Sequence, residues 1–337
     1  MGRARFMSTP EKNPQQEYVE LLLPLLPLVE HDNLGRPGEG RFLLGRKTAF
    51  IFMNKFTGHL PKKSRTFLRS LSRLYSVYER IFEKLKPSEI MQIVCQGSLM
   101  YIDTRDVAVA RCLLTEGAWE PYETELMKQS IKPHMIFVDI GANIGYFTLL
   151  AARLLNGTGK VVAIEPDSGN FRLLSLSVQA NAYTNVIAVQ KAVSNRTGRT
   201  RLFLDEKLIG IPSLSEDNLS TKGGGYVYVN TVTLDSLLRD LAIERIDVMK
   251  IDVEGAEGLV FEGGSKILRR VDRIFMEFKQ QALRNLGTEP AKLTTQLIHA
   301  GFEISRIDED KRRCVPVGHD YNSLHRLHET NLLLERF

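Results

Sequence analysis

The sequence predicts an α/β protein: one open, mostly parallel sheet with helices on both faces, preceded by an extension of different character. Three observations predict it. From Met135 onward, short apolar runs alternate with helical patterns, as in βα units wound into a parallel sheet. The first run empties into a glycine-rich turn, Gly141-Ala142-Asn143-Ile144-Gly145, and then into a helix. Two strand-like runs near the end, 302–306 and 331–336, suit an antiparallel closing hairpin.

In chain order, residues 1–88 read as an accessory extension and 89–337 as the main domain. The extension holds a Leu/Pro run from Leu21 to Val29, a Gly-rich segment and a helical pattern. In that pattern Leu68, Leu71, Leu74, Tyr78, Ile81 and Leu85 share a face, with Lys62, Lys63, Arg65, Arg69 and Arg73 at its start and on its other side. A helix packed on the main domain is the simpler reading; a membrane-surface helix is the sharper one. Residues 91–104 read as two short strands around Gln96-Gly97-Ser98, and 106–131 as helices interrupted at Gly117. Strands are expected at 135–139, 161–165, 186–190, 247–251 and 273–278, with helices near 146–155, 168–181, 234–241, 256–268 and 289–300. Between 192 and 233 the alternation breaks. Residues 201–204 and 226–229 read as extra strands flanking a loop rich in Ser, Asp and Gly, and long loops inside a domain usually carry function or stay disordered.

The chemistry concentrates where strands end. In MIFVDIGANIGYF (135–147) a buried strand, a tight turn and a helix N-terminus follow one another, which are the parts of a nucleotide-binding βα unit. Glycine lets the backbone turn sharply and a ligand approach closely. The second strand ends in Glu165, 20 residues after Gly145, a spacing that suits a carboxylate on a ribose. Dinucleotide folds use Gly-x-Gly-x-x-Gly, but here the pattern is Gly-x-Asn-x-Gly, with Tyr146 or Phe147 where a third glycine would fall. An acid before the turn, Asp139, and another after the second strand suit a cofactor with an ammonium group and a ribose. A second constellation, VMKIDVEGAE (248–257), ends a strand in Asp252 and Glu254, at the rim where open parallel sheets bind ligands. Both acids can also serve as helix caps. Glu277, inside the strand pattern IFMEF, is a third carboxylate expected near that rim.

The glycine turn and its flanking acids resemble motif I of S-adenosylmethionine-dependent methyltransferases. The strings VDIGANIGYFTLLAA, AIEP, KAVSN, VTLDSLL, KIDVEGAE and IFMEF, in this order, resemble the FkbM family of those enzymes, from about Gln92 to Arg336. The resemblance implies a Rossmann-like class I methyltransferase fold with a seven-stranded sheet and a C-terminal antiparallel hairpin. It implies S-adenosyl-L-methionine as cofactor and O-methylation of a sugar or natural-product hydroxyl. Carried onto this chain, it implies that Gly141, Asn143 and Gly145 shape the turn against the methionine part, with Tyr146 beside it. Asp139 would hold the ammonium, Glu165 the ribose with Pro166 next to it, and Lys191 and Ala192 the adenine. Asp252 would border the methyl group, and Glu123, in an acidic segment before motif I, would lie over the cofactor or start a surface helix.

Methyl transfer to oxygen needs alignment and a proton acceptor. Positioning is worth on the order of 7–11 kcal/mol, against about 10²–10⁴-fold for a general base, so the sequence need not advertise a base. Candidates for catalytic roles are Asp252, Glu254 and Glu277. The same three could hold Mg²⁺ through carboxylate oxygens, although no metal is the reading adopted. His134 and His299 read as structural, and His319, His325 and His328 as exposed or substrate-facing.

Composition excludes several classes. With 43% hydrophobic and 25% charged residues the chain is an ordinary globular one. A net charge of +5 without a long basic run argues against a nucleic-acid arm. Cys95, Cys112 and Cys314 have no metal-ligand spacing and read as reduced thiols of a cytoplasmic protein. No run approaches the roughly 20 apolar residues of a membrane span. The resemblance implies a small-molecule or glycan acceptor as partner; the sequence leaves the oligomeric state open. Two other classes stand beside this one. A NAD-dependent oxidoreductase is disfavoured by the missing Gly-x-Gly-x-x-Gly. A non-catalytic binding or scaffolding protein on the same fold is disfavoured by the intact set of Asp139, Gly141, Gly145, Glu165 and Asp252.

Overall fold

The computed structural model describes residues 89–205, 208, 210–317 and 329–336, all within one compact unit, Ser88–Phe337. The extension with its basic helical pattern, and His319, His325 and His328, lie outside the described residues.

The main sheet has eight strands. Five are parallel: β3 (Ile136–Ile140), β4 (Lys160–Ile164), β5 (Val186–Val189), β9 (Ile246–Ile251) and β10 (Val271–Lys279). Their runs are mainly apolar because helices cover both faces; all six residues of β9 are buried, Asp247 and Lys250 among them. The closing hairpin forms as expected, from β11 (Phe302–Asp308) and β13 (Glu329–Arg336), with β13 inserted antiparallel between β10 and β11. An eighth strand, β12 (Arg313–Pro316), extends the expected seven at the edge. The spatial order is β12-β11-β13-β10-β9-β3-β4-β5.

The helices are α1 (Val109–Glu116), α2 (Pro121–Ser130), α3 (Tyr146–Leu155), α4 (Ser168–Ala180), α5 (Leu234–Asp240), α6 (Glu257–Gly263), α7 (Gln280–Asn285) and α8 (Pro290–His299). On one face, Leu237 and Leu238 of α5, Val260 of α6 and Leu293 and Leu297 of α8 pack on Val138, Met249, Ile274 and Leu334. On the other, Leu149, Leu150 and Ala151 of α3, Leu113 of α1 and Met127 of α2 pack on Phe137, Val248 and Phe275. The fourth expected helix, 256–268, is shorter than its pattern. It ends at Gly263, where a Cβ would stand 2.1 Å from the Ser194 carbonyl oxygen, and a 3₁₀ turn (Ile267–Arg270) follows.

Two smaller sheets flank this core. β1 (Ile90–Cys95) and β2 (Ser98–Asp103) form a hairpin closed by Gln96-Gly97, both at positive φ. It docks on α4 through Leu99 N donating to Asn181 Oδ1 (2.8 Å) and Tyr101 N donating to Ser177 Oγ (2.9 Å). The segment that broke the alternation forms a three-stranded sheet of β6 (Ala192–Val193), β8 (Tyr226–Val232) and β7 (Gly198–Phe203). No helix among the described residues is long and apolar enough to cross a membrane. The three cysteines form no disulfide.

Candidate active site

The carboxyl ends of β4, β3, β9 and β10, with the start of β13, border one cavity of about 280 Å³. The turn after β3 sits at its centre. Gly141 N and Ala142 N both donate to Ile164 O (2.9 and 3.0 Å), tying the turn to the end of β4. Gly141 has φ +80°, and a Cβ there would lie 1.8 Å from the Asp252 carbonyl oxygen. Its bareness therefore serves the crossing of two chain segments, since Asp252 N in turn donates to Ile140 O (2.9 Å). Gly145 (φ +94°) serves helix packing: a Cβ would meet Leu174 Cδ1 of α4 at 2.5 Å.

Asp139, Gly141, Asn143, Tyr146, Glu165, Pro166, Lys191, Ala192, Asp252, Glu254 and Glu277 all line this cavity. Gly145 and Glu123 do not. Gly145 is turned toward α4, as above. Glu123 is fully buried on α2, its Oε1 2.8 Å from Lys250 Nζ and its Oε2 accepting from Asn331 Nδ2 (2.7 Å). The acid of that segment that does line the cavity is Glu120.

Asp139 is buried and accepts from Thr148 Oγ1 (2.5 Å). Glu165 accepts from Asn143 N (2.9 Å) at Oε2 and Asp167 N (2.8 Å) at Oε1, so it braces the turn while facing the cavity. Asn143, at φ +51°, a conformation Asn tolerates, donates from Nδ2 to Gly210 O (2.8 Å). That bond draws the long loop over the rim, where Gly210, Ile211, Pro212 and Leu214 line the cavity. Ser213 Oγ and Asn218 Nδ2 secure the loop on Glu254 O (2.9 and 2.8 Å).

At the β10 side, one oxygen from each of Asp252, Glu254 and Glu277 lies within 4.8 Å of the others. Lys279 joins this cluster, its Nζ 2.8 Å from Glu254 Oε2 and 2.9 Å from Glu277 Oε1. Glu277 Oε2 is buried and has no hydrogen-bond partner among the described residues.

Sequence reasoning missed Glu120, Lys250, Lys279 and Asn331. Lys250 was signalled: a lysine inside an otherwise apolar strand must find carboxylates when buried. Asn331 carried no local signal. Its partners, Glu120 and Glu123, lie 211 and 208 residues away in the chain.

Comparison with known proteins agrees with this geometry. Residues 139–304 match the Methyltransferase FkbM domain. Methyltransferase sdnD of Sordaria araneosa is 33% identical over 200 residues, covering 50% of this chain and 74% of that protein. The chain belongs to the FkbM methyltransferase family. Hexuronic acid methyltransferase AglP of Haloferax volcanii is 24% identical over 189 residues, covering 55% of this methyltransferase and 72% of AglP. Likeness to solved structures is slight: TYW2 of M. jannaschii, solved with AdoMet, shares 14% identity over 75% of this chain and 89% of its own, with a TM-score of 0.40.

The methyltransferase's cavity is electrostatically loaded. Seven carboxylates line it (Glu120, Asp139, Glu165, Asp252, Glu254, Glu277 and Glu329) against three lysines (Lys191, Lys250 and Lys279). Lys250 is 2% exposed, and its Nζ lies 2.8 Å from Glu123, 3.4 Å from Glu120 and 3.4 Å from Asp252. Burial, then the Glu123 charge, pushes the Glu120 carboxyl up to about 8, although Lys250 pulls the other way. Burial pushes Glu165 up to about 8 against the two backbone donors, and Asp139 up to about 6.

A stability prediction follows from the direction of these pKa changes. Each group binds its proton more tightly in the fold than in the unfolded chain, so the fold holds more protons between the two values. The stability contributed is complete below about 4.5, the unfolded value of Glu120 and Glu165, and is lost as pH rises through about 8. Urea unfolding of the ligand-free methyltransferase should show a midpoint that falls across this window. Each tenfold difference in proton affinity between fold and unfolded chain is worth about 1.4 kcal/mol. A midpoint that rises there would mean that these carboxyls are ionised and paired in the fold.

Proposed function

We propose that this methyltransferase transfers the methyl group of S-adenosyl-L-methionine to a hydroxyl of a sugar or natural-product acceptor. The observation that carries the reading is the lining of the cavity: seven acidic side chains against three lysines, around a glycine turn at the carboxyl ends of parallel strands, acids that burial holds protonated and that a bound cation would draw into the ionised form. Such a donor set fits a cofactor bearing a sulfonium and an ammonium. It would repel the pyrophosphate of a dinucleotide, which disfavours the oxidoreductase alternative.

When bound, the cofactor supplies an electrophilic methyl group that an acceptor oxygen displaces from sulfur. The chain's own residues bind, orient and take the proton. Glu165, with lone pairs left beyond its two backbone donors, would accept from the ribose hydroxyls. Asp139, whose Oδ2 is held by Thr148, would accept from the ammonium. Lys191, Ala192 and Val193 would flank the adenine. Glu277 is the proton acceptor proposed among the three rim carboxylates, because burial and the neighbouring acids raise its affinity for a proton most clearly. Asp252 and Glu254 would position the acceptor hydroxyl, and the loop around Gly210 to Leu214 would select the acceptor, loops being the variable part of such sites. AglP, named for hexuronic acid, supports a sugar as the acceptor class. Residues 1–88 are proposed as an accessory extension to the transferase domain.

The test is calorimetric binding of S-adenosylhomocysteine, with NAD⁺ as control. Micromolar binding, roughly −8 kcal/mol, is expected for the wild type, with no NAD⁺ heat. Glu165→Ala should weaken it at least tenfold. Binding of NAD⁺ instead would sink the cofactor assignment. Binding of S-adenosylhomocysteine with no methyl transfer to any hydroxylated acceptor would favour the scaffolding alternative.

A further inference from the structure

Beyond the cofactor half of the cavity, the β9–β10–β13 side is unusually one-signed. Strands in a sheet lie about 4.8 Å apart, so β10 stands roughly 14 Å from β4, the strand that ends in Glu165. On that far side Asp252, Glu254, Glu277 and Glu329 face one ammonium, Lys279. Lys250 reaches only Asp252 of these four (3.4 Å) and shares its Nζ with Glu120 and Glu123, so Glu254, Glu277 and Glu329 depend on Lys279. Lys279 reaches Glu254 Oε2 (2.8 Å), Glu277 Oε1 (2.9 Å) and, more distantly, Glu329 Oε1 (3.5 Å). It cannot saturate them. Glu277 is 8% exposed, lines the cavity and has its second oxygen, Oε2, buried without a hydrogen-bond partner among the described residues. Burial, then the Asp252 and Glu254 charges, holds the Glu277 carboxyl well above its usual range, and a cation brought beside the cluster would let it ionise.

We infer that the acceptor carries a protonated amine, as an amino sugar does, and that the Asp252, Glu254 and Glu277 carboxylates receive that ammonium or the hydroxyl beside it. This rests on the proposed transfer to a hydroxyl acceptor and names its charge class. An ammonium supplies both the missing donor and the missing positive charge. An acceptor with a carboxylate next to the reacting hydroxyl would bring a fifth negative charge to the same rim, and like charges brought together across a binding surface are strongly disfavoured. Lys279 fits the same picture, since it is already one cation drawn into the carboxylate cluster.

The experiment measures binding of three matched probes to the full chain saturated with S-adenosylhomocysteine, at neutral pH and low ionic strength: methyl glucosaminide, methyl glucoside and methyl glucuronide. The glucosaminide should bind at least about tenfold more tightly than the glucuronide, with the glucoside between them. Glu277→Gln should shrink that preference at least about threefold, and Lys279→Gln, which removes the competing ammonium, should enlarge it. Folding of both variants is checked by their retained binding of S-adenosylhomocysteine. A preference below tenfold, a glucuronide that binds best, no binding of any probe, or a preference that neither substitution moves would each overturn the inference. Failure of S-adenosylhomocysteine to bind the wild type would instead overturn the cofactor reading, and this inference with it.

Discussion

Replacing Lys250 by methionine should destabilise the fold by about 3–5 kcal/mol, the cost of removing one partner from a buried ion pair. Methionine has nearly the length of lysine, so little packing is lost; the effect is electrostatic. Lys250 is 2% exposed and is the shared partner of Glu123, Glu120 and Asp252. Its Nζ also lies 5.2 Å from the centre of the Phe147 ring. Without it, Glu123, fully buried, keeps among the described residues only Asn331 Nδ2 as a side-chain donor. The check is a lowered urea midpoint at unchanged slope. The loss should be greatest above about pH 8, where Glu120 gives up its proton, and smaller below it, where a protonated carboxyl no longer needs a counter-charge. Adding Glu123→Gln should recover part of it, a coupling that a double-mutant cycle reads directly. A loss below about 1 kcal/mol above that pH would show that the network stands without its ammonium.

Gly141→Ala should cost about 2–5 kcal/mol and abolish measurable binding of S-adenosylhomocysteine. Two effects add. A side chain at φ +80° is strained, and its Cβ would lie 1.8 Å from the Asp252 carbonyl oxygen, which is backbone and cannot swing away. The exits of β3 and β9 would have to separate, moving Asp252 relative to Asp139 and opening the cavity. Gly157→Ala isolates the first effect, because Gly157 has φ +74° and nothing within 4 Å of its would-be Cβ. That control should lose only about 1–2 kcal/mol and keep its affinity. Equal losses in the two variants would show that strain alone matters and that the crossing at Asp252 relaxes freely.

The local parts of this protein were legible residue by residue. The strand-turn-helix at 135–155 was readable because each of its requirements acts within a few positions: an apolar run, positive-φ glycines, then an apolar helical face. Glu165 and Asp252 were readable for the same reason, as acids placed just after buried strands. Helix ends were less so. The pattern of 256–268 continues past Gly263, but the helix stops at the pair Gly263-Gly264, poor helix formers that let Ser194 O pack 2.1 Å from the place a Gly263 Cβ would occupy. Glu123 was expected over the cofactor or at the start of a surface helix; it stands in the first turn of α2, buried against Lys250, while Glu120 lines the cavity.

By itself, then, the sequence determined the α/β class, the glycine turn and the row of acids along one rim of the sheet. These depend on periodicity, on φ and on where a strand runs out, all short-range properties of the chain. Only the tertiary structure decided how those acids are balanced. Lys250 meets Glu120 and Glu123 across some 130 residues of chain, Asn331 reaches them from the last strand, and Lys279 is shared by Glu254 and Glu277 while Glu277 Oε2 is left over. The physical reason is that the cost of burying a charge is set by the partners within a few ångströms, and those partners are delivered by the order of strands in the sheet rather than by order in the chain.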